Sequence, residues 1–173
     1  MIVNSSSASP LRIEGYGPGG AAVLIECVVD DAGSLRARVR EMFRHHGGYL
    51  GAAGSVEYLF DRVGRLRFGA GVEQEQLKCA AFAAGAEEVL GETDRSWVVL
   101  TDPRELTSVQ SRLADNGLTA QQADVILRAA LTRPLTGVAA ERMRALLAAL
   151  ARLEGVRNVY SNAEISDAFL ANL

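Results

Sequence analysis

The stretch EGYGPGG, residues 14–20, runs directly into the apolar segment AAVLIECVV, residues 21–29, and this junction decides the fold. Its glycines satisfy the pattern G-x-G-x-x-G, which in dinucleotide-binding proteins follows a strand and opens a helix whose N-terminus faces the pyrophosphate. Here a polar leader precedes the glycines and a strand-like segment follows them, and Pro18 lacks the amide hydrogen that an anion cradle would use. The stretch therefore predicts a tight turn that directs the first strand, and not a phosphate-binding loop.

Length and composition are those of an ordinary soluble globular protein. The chain has 173 residues, of which 49% are hydrophobic, and a formal net charge of -3. With this charge, any contact with nucleic acid has to come from a local basic patch. No apolar run approaches the length of a membrane span, and the two cysteines, Cys27 and Cys79, are far from any C-x-x-C spacing. We expect a cytoplasmic protein with reduced thiols, and we predict no metal ligand, no cofactor and no membrane contact.

The first half of the chain predicts a strand, a helix and two more strands. Residues 22–29 are rich in valine, leucine and isoleucine and are too short for a typical helix. Apolar residues then recur with helical spacing up to the glycine pair at 47–48, namely at Leu35, Val39, Met42 and Phe43. Residues 54–60 and 65–68 alternate between apolar and polar, and residues 61–64 are few enough for a hairpin turn.

Downstream, a second apolar helical stripe leads into the strand-like residues 156–161; its members are Met143, Leu146, Leu147, Leu150 and Leu153. Joined to the first half, this order gives an α+β fold, a ferredoxin-like βαββαβ unit in which two helices cover one sheet face. A second small α/β subdomain with its own core pattern is inserted between the third strand and the second helix. The predicted organisation is a flexible tail over 1–13, a ferredoxin-like domain over 14–72 plus 135–173, and the inserted subdomain over 73–134.

Charge divides unevenly between these parts. Residues 73–134 carry 6 Lys+Arg against 10 Asp+Glu, whereas residues 1–72 carry 8 against 7 and residues 135–173 carry 4 of each. The inserted subdomain is the acidic part of the chain. It is therefore the poorer candidate for contact with phosphate.

The best local basic patch lies on the first predicted helix and at its end. Its members are Arg36, Arg38, Arg40, Arg44, His45 and His46. Arginine suits bidentate contacts with phosphate, so this patch is the predicted nucleic-acid-binding surface. The alternative interpretation is the solvated side of an amphipathic helix, with cations near its C-terminus where they favour the helix dipole. For His46, which falls near the apolar face, the alternative is a packed and hydrogen-bonded histidine.

A second candidate is a cleft near the glycine-rich turn that would bind a ligand. Its predicted members are Tyr16, Tyr49, Glu26 and His46, although the two tyrosines could equally pack as lids. The sheet face opposite the helices is expected to be a ladder of mixed charges without stacked aromatics, drawn from Glu26, Glu57, Arg65 or Arg67, and Arg157. Neither G-x-S-x-G nor H-E-x-x-H occurs, so no catalytic residue is predicted, and whether the protein is an enzyme stays open.

Four blocks of the chain carry a resemblance to a known family. They are EGYGPGG at 14–20, FRHHGG at 43–48, GSVEYLFDR at 54–62 and VYSNAEI at 159–165. In this order and spacing they resemble the YebC/PmpR family, which includes the mitochondrial translational activator of cytochrome oxidase. The resemblance implies bacterial and organellar regulators of gene expression, described both as DNA-binding transcriptional regulators and as ribosome-associated translation factors. It also implies three domains, a basic helical domain followed by two α/β domains.

The chain departs from that family pattern in three places. Only the serine-rich leader precedes residue 14, so the helical domain is expected to be absent. The turn at 30–33 reads DDAG where the family tends to carry Asn and Arg, and Tyr49 stands where it often has Asn. The leading hypothesis is a regulator of gene expression that binds nucleic acid or the ribosome. The alternative is a stand-alone paralogue that serves as a protein- or small-molecule-binding module, or as an enzyme of specialised metabolism.

Overall fold

The computed structural model describes residues 8–165, and within that range it contains four α-helices, two short 3-10 helices and ten strands. The α-helices are α1 (Ala32–His45), α2 (Gln74–Ala84), α3 (Leu106–Asp115) and α4 (Gly137–Ala151). The strands are β1 (Ser9–Tyr16), β2 (Ala22–Val29), β3 (Tyr49–Leu50), β4 (Phe60–Phe68), β5 (Glu88–Gly91), β6 (Trp97–Thr101), β7 (Gln122–Ala129), β8 (Arg133–Leu135), β9 (Val156–Ser161) and β10 (Ala163–Ile165). They form two compact units, residues 8–60 with 129–165, and residues 61–128. No helix in the described range is long and apolar enough to cross a bilayer.

The first unit is an antiparallel sheet covered on one face by α1 and α4. Its strand order is β3-β1-β2-β9, and β1 and β2 pair along their whole length. Both helices bury their apolar stripes against this sheet. The core side chains that are at most 1% exposed include Ile13, Val23, Ile25, Val39, Phe43, Met143, Leu146 and Leu150. The predicted α+β class, with two helices on one face of a sheet, is confirmed.

The glycine-rich stretch forms the turn between β1 and β2. A 3-10 helix spans Pro18–Gly20, and the amide of Gly17 donates to the carbonyl oxygen of Ala21 at 2.7 Å. Gly19 and Gly20 have φ angles of 70° and 75°, a left-handed conformation that glycine adopts without a Cβ clash. Because a strand and not a helix follows the glycines, the stretch is a turn, as the sequence predicts.

The prediction of a flexible tail over residues 1–13 is wrong for residues 9–13, which form the first part of β1. Leu11 lies opposite Cys27 and Ile13 lies opposite Ile25, so both side chains reach the helix-covered face. Ile13 is 1% exposed, and its burial stabilises this register, because a one-residue slip would turn the Ile13 side chain to the other face of the sheet. Residues 1–7 of the predicted tail lie outside the described residues.

The predicted strand over residues 54–60 is also wrong for the segment 54–59; Phe60 is the first residue of β4. The segment 54–59 is a loop that contains a short 3-10 helix, Glu57–Leu59, and its amides donate to a side chain instead of a neighbouring strand. The predicted hairpin turn at 61–64 lies inside the continuous strand β4, which pairs with β6 in the second unit. Gly64 gives a turn signal in the sequence, but its role is close packing, since a Cβ there would lie 3.0 Å from Cγ2 of Thr101.

The second unit is a four-stranded sheet of order β5-β6-β4-β7 with α2 and α3 packed against it. The core side chains with no exposed surface include Leu66, Phe68, Leu77, Val99, Val109 and Leu113. The carboxylate of Glu73 caps α2 by accepting the amides of Glu75 and Gln76, and Gly85 ends the helix with a φ of 101°. Residues 65–68, which the sequence analysis placed in a strand of the first domain, therefore belong to β4, and β4 contributes Leu66 and Phe68 to the core of this second unit.

Candidate nucleic-acid interface

The arginines of α1 are positioned by the burial of the opposite side of the helix. Leu35, Val39 and Phe43 are at most 3% exposed in the core of the first unit, which turns the other side of the helix outward. The carboxylate of Asp31 caps the helix by accepting the amide of Ser34 at 3.0 Å. The exposed arginines of α1 are Arg36, Arg38, Arg40 and Arg44. The apolar stripe on the buried side of α1 is sufficient to explain why these arginines point outward.

Three of these arginines line a groove. Arg36, Arg40 and Arg44, one helical turn apart, form one wall, and residues 48–52 with the edge strand β3 form the other. The groove has a volume of about 490 Å³. We call it the arginine groove.

The fourth arginine of α1 lies elsewhere. Arg38 lines a separate depression of about 450 Å³ that also contains the carboxylates of Asp30, Asp31 and Glu154. A helix places residues two apart on different sides, which is why Arg38 leaves the row formed by its neighbours. The structure thus divides the predicted basic patch into a groove with three arginines and a depression of mixed charge.

The charge of the arginine groove is largely unpaired. Arg44 contacts Glu41 at 2.9 Å, an exposed pair that contributes little stability and that a phosphate could displace. Arg36 and Arg40 have no carboxylate within ion-pair distance among residues 8–165. A guanidinium without a carboxylate partner is available for bidentate contact with a phosphate group.

A pair of tyrosines lies beside this groove. Tyr49 of β3 lies opposite Tyr16 of β1 in the antiparallel register, so both rings project on the same face of the sheet. Because Ile13 and Leu50 of the same strands face the helices, this is the sheet face opposite α1 and α4. The ring centroids are 5.4 Å apart and the ring planes are inclined by 34°. The Tyr16 hydroxyl donates to the carbonyl oxygen of Ser55 at 3.0 Å, whereas Tyr49 is 64% exposed. The inner ring is thus held in place and the outer ring is presented to solvent.

The two histidines at the end of α1 lie outside the residues that line the groove. His45 is exposed, and its ring meets that of His46 edge-on with centroids 5.3 Å apart. Nδ1 of the half-buried His46 lies 2.8 Å from the carbonyl oxygen of Met42. Since a carbonyl only accepts, Nδ1 carries the proton, and His46 caps the end of its own helix. This geometry favours the packed and hydrogen-bonded interpretation of His46.

Glu26, predicted in a cleft with the two tyrosines, belongs to a different group of side chains. Its carboxylate pairs with Arg12 at 3.2 Å and accepts from Nδ2 of Asn158, also at 3.2 Å. Arg12 also pairs with Glu57, so the sheet face opposite the helices carries the expected ladder of mixed charges. Its members differ from those predicted, because Arg65 and Arg67 pair with Asp124 and Glu92 in the second unit.

Glu14 organises the loop beside the tyrosines, a role that sequence reasoning missed. Glu14 is 5% exposed, and its carboxylate accepts the backbone amides of Gly54, Val56 and Glu57 at 2.7, 2.8 and 3.0 Å. Burial alone would raise the pKa of Glu14, but the three amides and the nearby Arg12 lower it below the ordinary value. The one available signal was an acidic residue next to Ile13 in an alternating segment.

The glycines of two sequence blocks pack backbone against backbone. A Cβ at Gly15 would lie 2.8 Å from the carbonyl oxygen of Tyr49, and a Cβ at Gly48 would overlap the carbonyl oxygen of Tyr16. The tail block joins the same hairpin, because Oδ1 of Asn162 accepts the buried amide of Ala22 at 2.7 Å. The four blocks quoted from the sequence therefore assemble around the β1-β2 hairpin.

Nothing in the described part of the chain forms a metal site, since no cluster of three His, Cys, Asp or Glu side chains occurs there. Cys27 is buried in the first unit and Cys79 is exposed in the second. Burial raises the pKa of the Cys27 thiol, although Arg36 opposes this effect. The chemistry of the site is therefore that of guanidinium, aromatic and backbone groups.

Comparison with known proteins identifies the class. A probable transcriptional regulatory protein from Methylococcus capsulatus is 43% identical over 163 residues, which cover 94% of this chain and 66% of that protein. Another from Pseudomonas putida is 38% identical over 169 residues, covering 98% and 68%. A crystal structure of a conserved hypothetical protein from Aquifex aeolicus has a TM-score of 0.89 at 32% identity, covering 98% and 70%. The class is that of regulator proteins built from α+β units.

The family follows from a match over nearly the whole described range. Residues 8–163 match the family model described as the second and third domain of TACO1/YebC. The chain belongs to the TACO1/YebC family, and the resemblance predicted from its four sequence blocks is confirmed. It spans about two thirds of the length of the Methylococcus and Pseudomonas relatives.

Proposed function

We propose that this protein regulates gene expression by binding nucleic acid, free or within the ribosome, in the cytoplasm, and that the arginine groove is its contact surface. The observation that carries the proposal is the row of Arg36, Arg40 and Arg44 facing the exposed backbone of residues 48–52. Two of the three guanidinium groups have no carboxylate partner in the described part of the chain. The names of the relatives, probable transcriptional regulatory proteins, support the same role.

The spacing of the arginines suits a phosphate backbone. Residues four apart on a helix are separated by about 6 Å along its axis, so the row presents three cations along one line. Arginine contacts phosphate through two parallel N–H donors, and these contacts position a nucleic acid without reading its bases. Because the net charge is -3, attraction to nucleic acid has to come from a local basic surface. We therefore expect most of the binding free energy to come from the arginine groove.

Direct binding measurements test the proposal. The probes are fluorescently labelled duplex DNA, duplex RNA, single-stranded DNA and single-stranded RNA, each at low salt, together with purified ribosomes in a co-sedimentation assay. The groove variant replaces Arg36, Arg40 and Arg44 with Glu. Two single variants form a matched pair with the same charge change on the same helix. Arg40→Glu changes a residue inside the groove, and Arg38→Glu, outside the groove, is its control.

We expect the wild-type protein to bind at least one of these probes and the groove variant to lose about a hundredfold or more in affinity. Arg40→Glu should weaken binding and Arg38→Glu should leave it nearly unchanged, because only the first residue lines the groove. Equal losses from the two single variants would overturn the assignment of the surface. Failure of the wild-type protein to bind any probe or ribosome would overturn the proposed function.

A further inference from the structure

We infer that the nucleic-acid contact surface continues beyond the arginine groove, around the C-terminal end of α1, to Arg142 of α4 and Arg133 of β8. The inference rests on the proposed function and assigns two further phosphate-binding residues to the same site. Neither arginine belongs to the basic patch predicted from the sequence. The contacts that bring them to the end of the groove connect separate elements of the first unit.

Arg142 lies beside the backbone where the arginine row ends. Its Nη1 is 3.6 Å from the position that a Cβ of Gly47 would occupy. The amide of Gly47 donates to the carbonyl oxygen of Arg44, the last arginine of the row, at 3.3 Å. The next residue, Gly48, lines the groove itself. The guanidinium of Arg142 is therefore close to the last turn of α1, at the point where the groove ends.

Arg133 lies against the glycine-rich turn between β1 and β2. Its Nε donates to the carbonyl oxygen of Gly19 at 2.5 Å. Its Cζ is 3.5 Å from the position that a Cβ of Gly20 would occupy, so the guanidinium covers backbone that has no side chain. Gly19, Gly20 and Arg133 are all exposed. The turn therefore presents a cation to solvent, although it contains no charged residue of its own.

The glycine-rich turn and the end of α1 are in direct backbone contact. A Cβ at Gly48 would lie 3.0 Å from the Cα of Gly17, which precedes the short 3-10 helix of the turn. The amide of Gly20 donates to the carbonyl oxygen of Gly17 at 3.0 Å, which holds the other end of the turn near the same point. Arg142 and Arg133 thus lie on a backbone surface that is continuous with the groove.

The charges of Arg133 and Arg142 are unpaired. Neither guanidinium has a carboxylate within ion-pair distance in the range 8–165, and both residues are exposed. The carbonyl groups at the C-terminal end of a helix carry a partial negative charge and by themselves repel phosphate. A guanidinium beside the last turn of α1 offsets this repulsion and offers a bidentate donor to a phosphate group. A polyanion that follows the row past Arg44 therefore meets further cations.

Single substitutions test the two arginines separately. Arg142→Gln and Arg133→Gln each remove one charge, and Arg142→Lys keeps the charge. Arg152→Gln is the matched control, because Arg152 is an exposed arginine at the other end of α4, about 15 Å from Arg142 along the helix axis. Thermal unfolding monitored by circular dichroism verifies that each variant is folded. If Arg133→Gln unfolds through loss of its bond to Gly19, the Arg142 variants decide the test.

The affinity and its salt dependence are measured by fluorescence anisotropy with the labelled oligonucleotide that binds most tightly, or by co-sedimentation if only ribosomes bind. One phosphate contact adds about 0.7 to 0.9 to the magnitude of the slope of log affinity against log salt concentration, which corresponds to about five- to eightfold in affinity at about 0.1 M salt. Arg142→Gln and Arg133→Gln should each lower the affinity and the slope by these amounts. Arg142→Lys should keep the slope, and Arg152→Gln should behave as the wild-type protein does.

Two results would overturn the inference while leaving the proposed function intact. One is an Arg142→Gln variant that binds as Arg152→Gln does, while the groove variant loses binding. The other is an Arg142→Gln variant that binds more weakly with an unchanged salt slope, since a residue that only supports the fold releases no counterions. A folded Arg133→Gln variant with wild-type affinity would remove Arg133 from the surface.

Two further results concern the proposed function as well. Binding that depends on Arg142 but survives in the groove variant would overturn the groove as the contact surface, and the continuous surface with it. If the wild-type protein binds neither an oligonucleotide nor ribosomes, the proposed function fails together with the inference.

Discussion

The carboxylate of Glu14 accepts a hydrogen bond of 2.8 Å from the backbone amide of Val56, 42 residues further along the chain. Two more amides, those of Gly54 and Glu57, donate to the same carboxylate. In this way one side chain satisfies the buried backbone of a loop that has no strand partner. Because the same loop holds Tyr16 through Ser55, the position of the Tyr16–Tyr49 pair depends on a buried acid.

Replacing Glu14 with Gln should destabilise the protein by about 1–3 kcal/mol, because the amide group of Gln offers one acceptor oxygen where the carboxylate offers two. Urea unfolding at pH 7 measures the difference in the free energy of unfolding. The matched control is Glu57→Gln, which removes an exposed carboxylate and should change the free energy by less than about 0.5 kcal/mol. Equal effects of the two substitutions would mean that the three amides do not depend on the charge of Glu14.

The same carboxylate predicts a pH dependence. The folded-state pKa of Glu14 lies below the ordinary value of 4.5, so its contribution to stability is fully present above that value. It is lost as the pH falls through the folded-state pKa, because the native carboxylate then takes up a proton. The difference in unfolding free energy between the wild-type protein and Glu14→Gln should therefore be constant from pH 7 to 5.5 and shrink below pH 4.5. A difference that stays constant at low pH would contradict this account.

Gly48 should not tolerate a side chain. A Cβ at this position would overlap the carbonyl oxygen of Tyr16 and lie 3.0 Å from the Cα of Gly17, which are backbone atoms at the end of β1 and at the start of the turn that follows it. Gly48→Ala should therefore cost about 2 kcal/mol or more, since backbone atoms cannot move aside cheaply. Gly71→Ala is the control, because a Cβ at Gly71 meets no atom within 4 Å. Thermal unfolding of the two variants gives the comparison, and similar midpoints would contradict the close approach.

Asn162 connects the last sequence block to the hairpin. Its Oδ1 accepts the amide of Ala22 at 2.7 Å in a buried position, so Asn162→Ala leaves that amide without a partner. The expected loss of stability is about 1–3 kcal/mol. Asn158→Ala, which removes a side-chain contact to Glu26 on the exposed sheet face, should cost less than about 0.5 kcal/mol. Chemical denaturation distinguishes the two variants, and a neutral Asn162→Ala would mean that water replaces the lost acceptor.

The elements that the sequence predicts correctly are those with a strong apolar period. The helix α1 shows its stripe at Leu35, Val39 and Phe43, and all three residues are buried as predicted. The first part of β1 is short, contains Pro10 and follows a serine-rich leader, so its alternation at Leu11 and Ile13 is hidden. Local pattern alone cannot reveal such a strand, because it is the pairing with β2 that stabilises it.

The segment 54–60, of which residues 54–59 form a loop, shows the opposite error. Its alternation of Val56, Tyr58 and Phe60 is typical of a strand, yet its amides are satisfied by a carboxylate 42 residues away from Val56. Pairing between a side chain and a distant backbone leaves no periodic signal in a sequence. The row of Arg36, Arg40 and Arg44 was predictable because it depends only on helical spacing, whereas the wall opposite it was not.

Salt dependence should report the number of phosphate contacts in the arginine groove. Log affinity falls linearly with log salt concentration, and each phosphate contact adds about 0.7 (single strand) to about 0.9 (duplex) to the magnitude of the slope, so three arginines account for about 2 to 3. Replacing Arg36, Arg40 and Arg44 with Gln should reduce the slope by about that amount. Arg38→Gln should leave it unchanged, because Arg38 lies in the other depression.

Tyr49→Ala completes this test as an uncharged control, because the Tyr49 ring projects on the sheet face opposite α1 and its loss removes no cation from the groove. The variant should leave both the affinity and the slope close to those of the wild-type protein. Fluorescence anisotropy titrations at four salt concentrations provide both quantities. A slope that falls as much with Tyr49→Ala as with the three Gln substitutions would contradict the assignment of the binding surface to the arginines. An unchanged slope with the three Gln substitutions would mean that the phosphates do not bind in the groove.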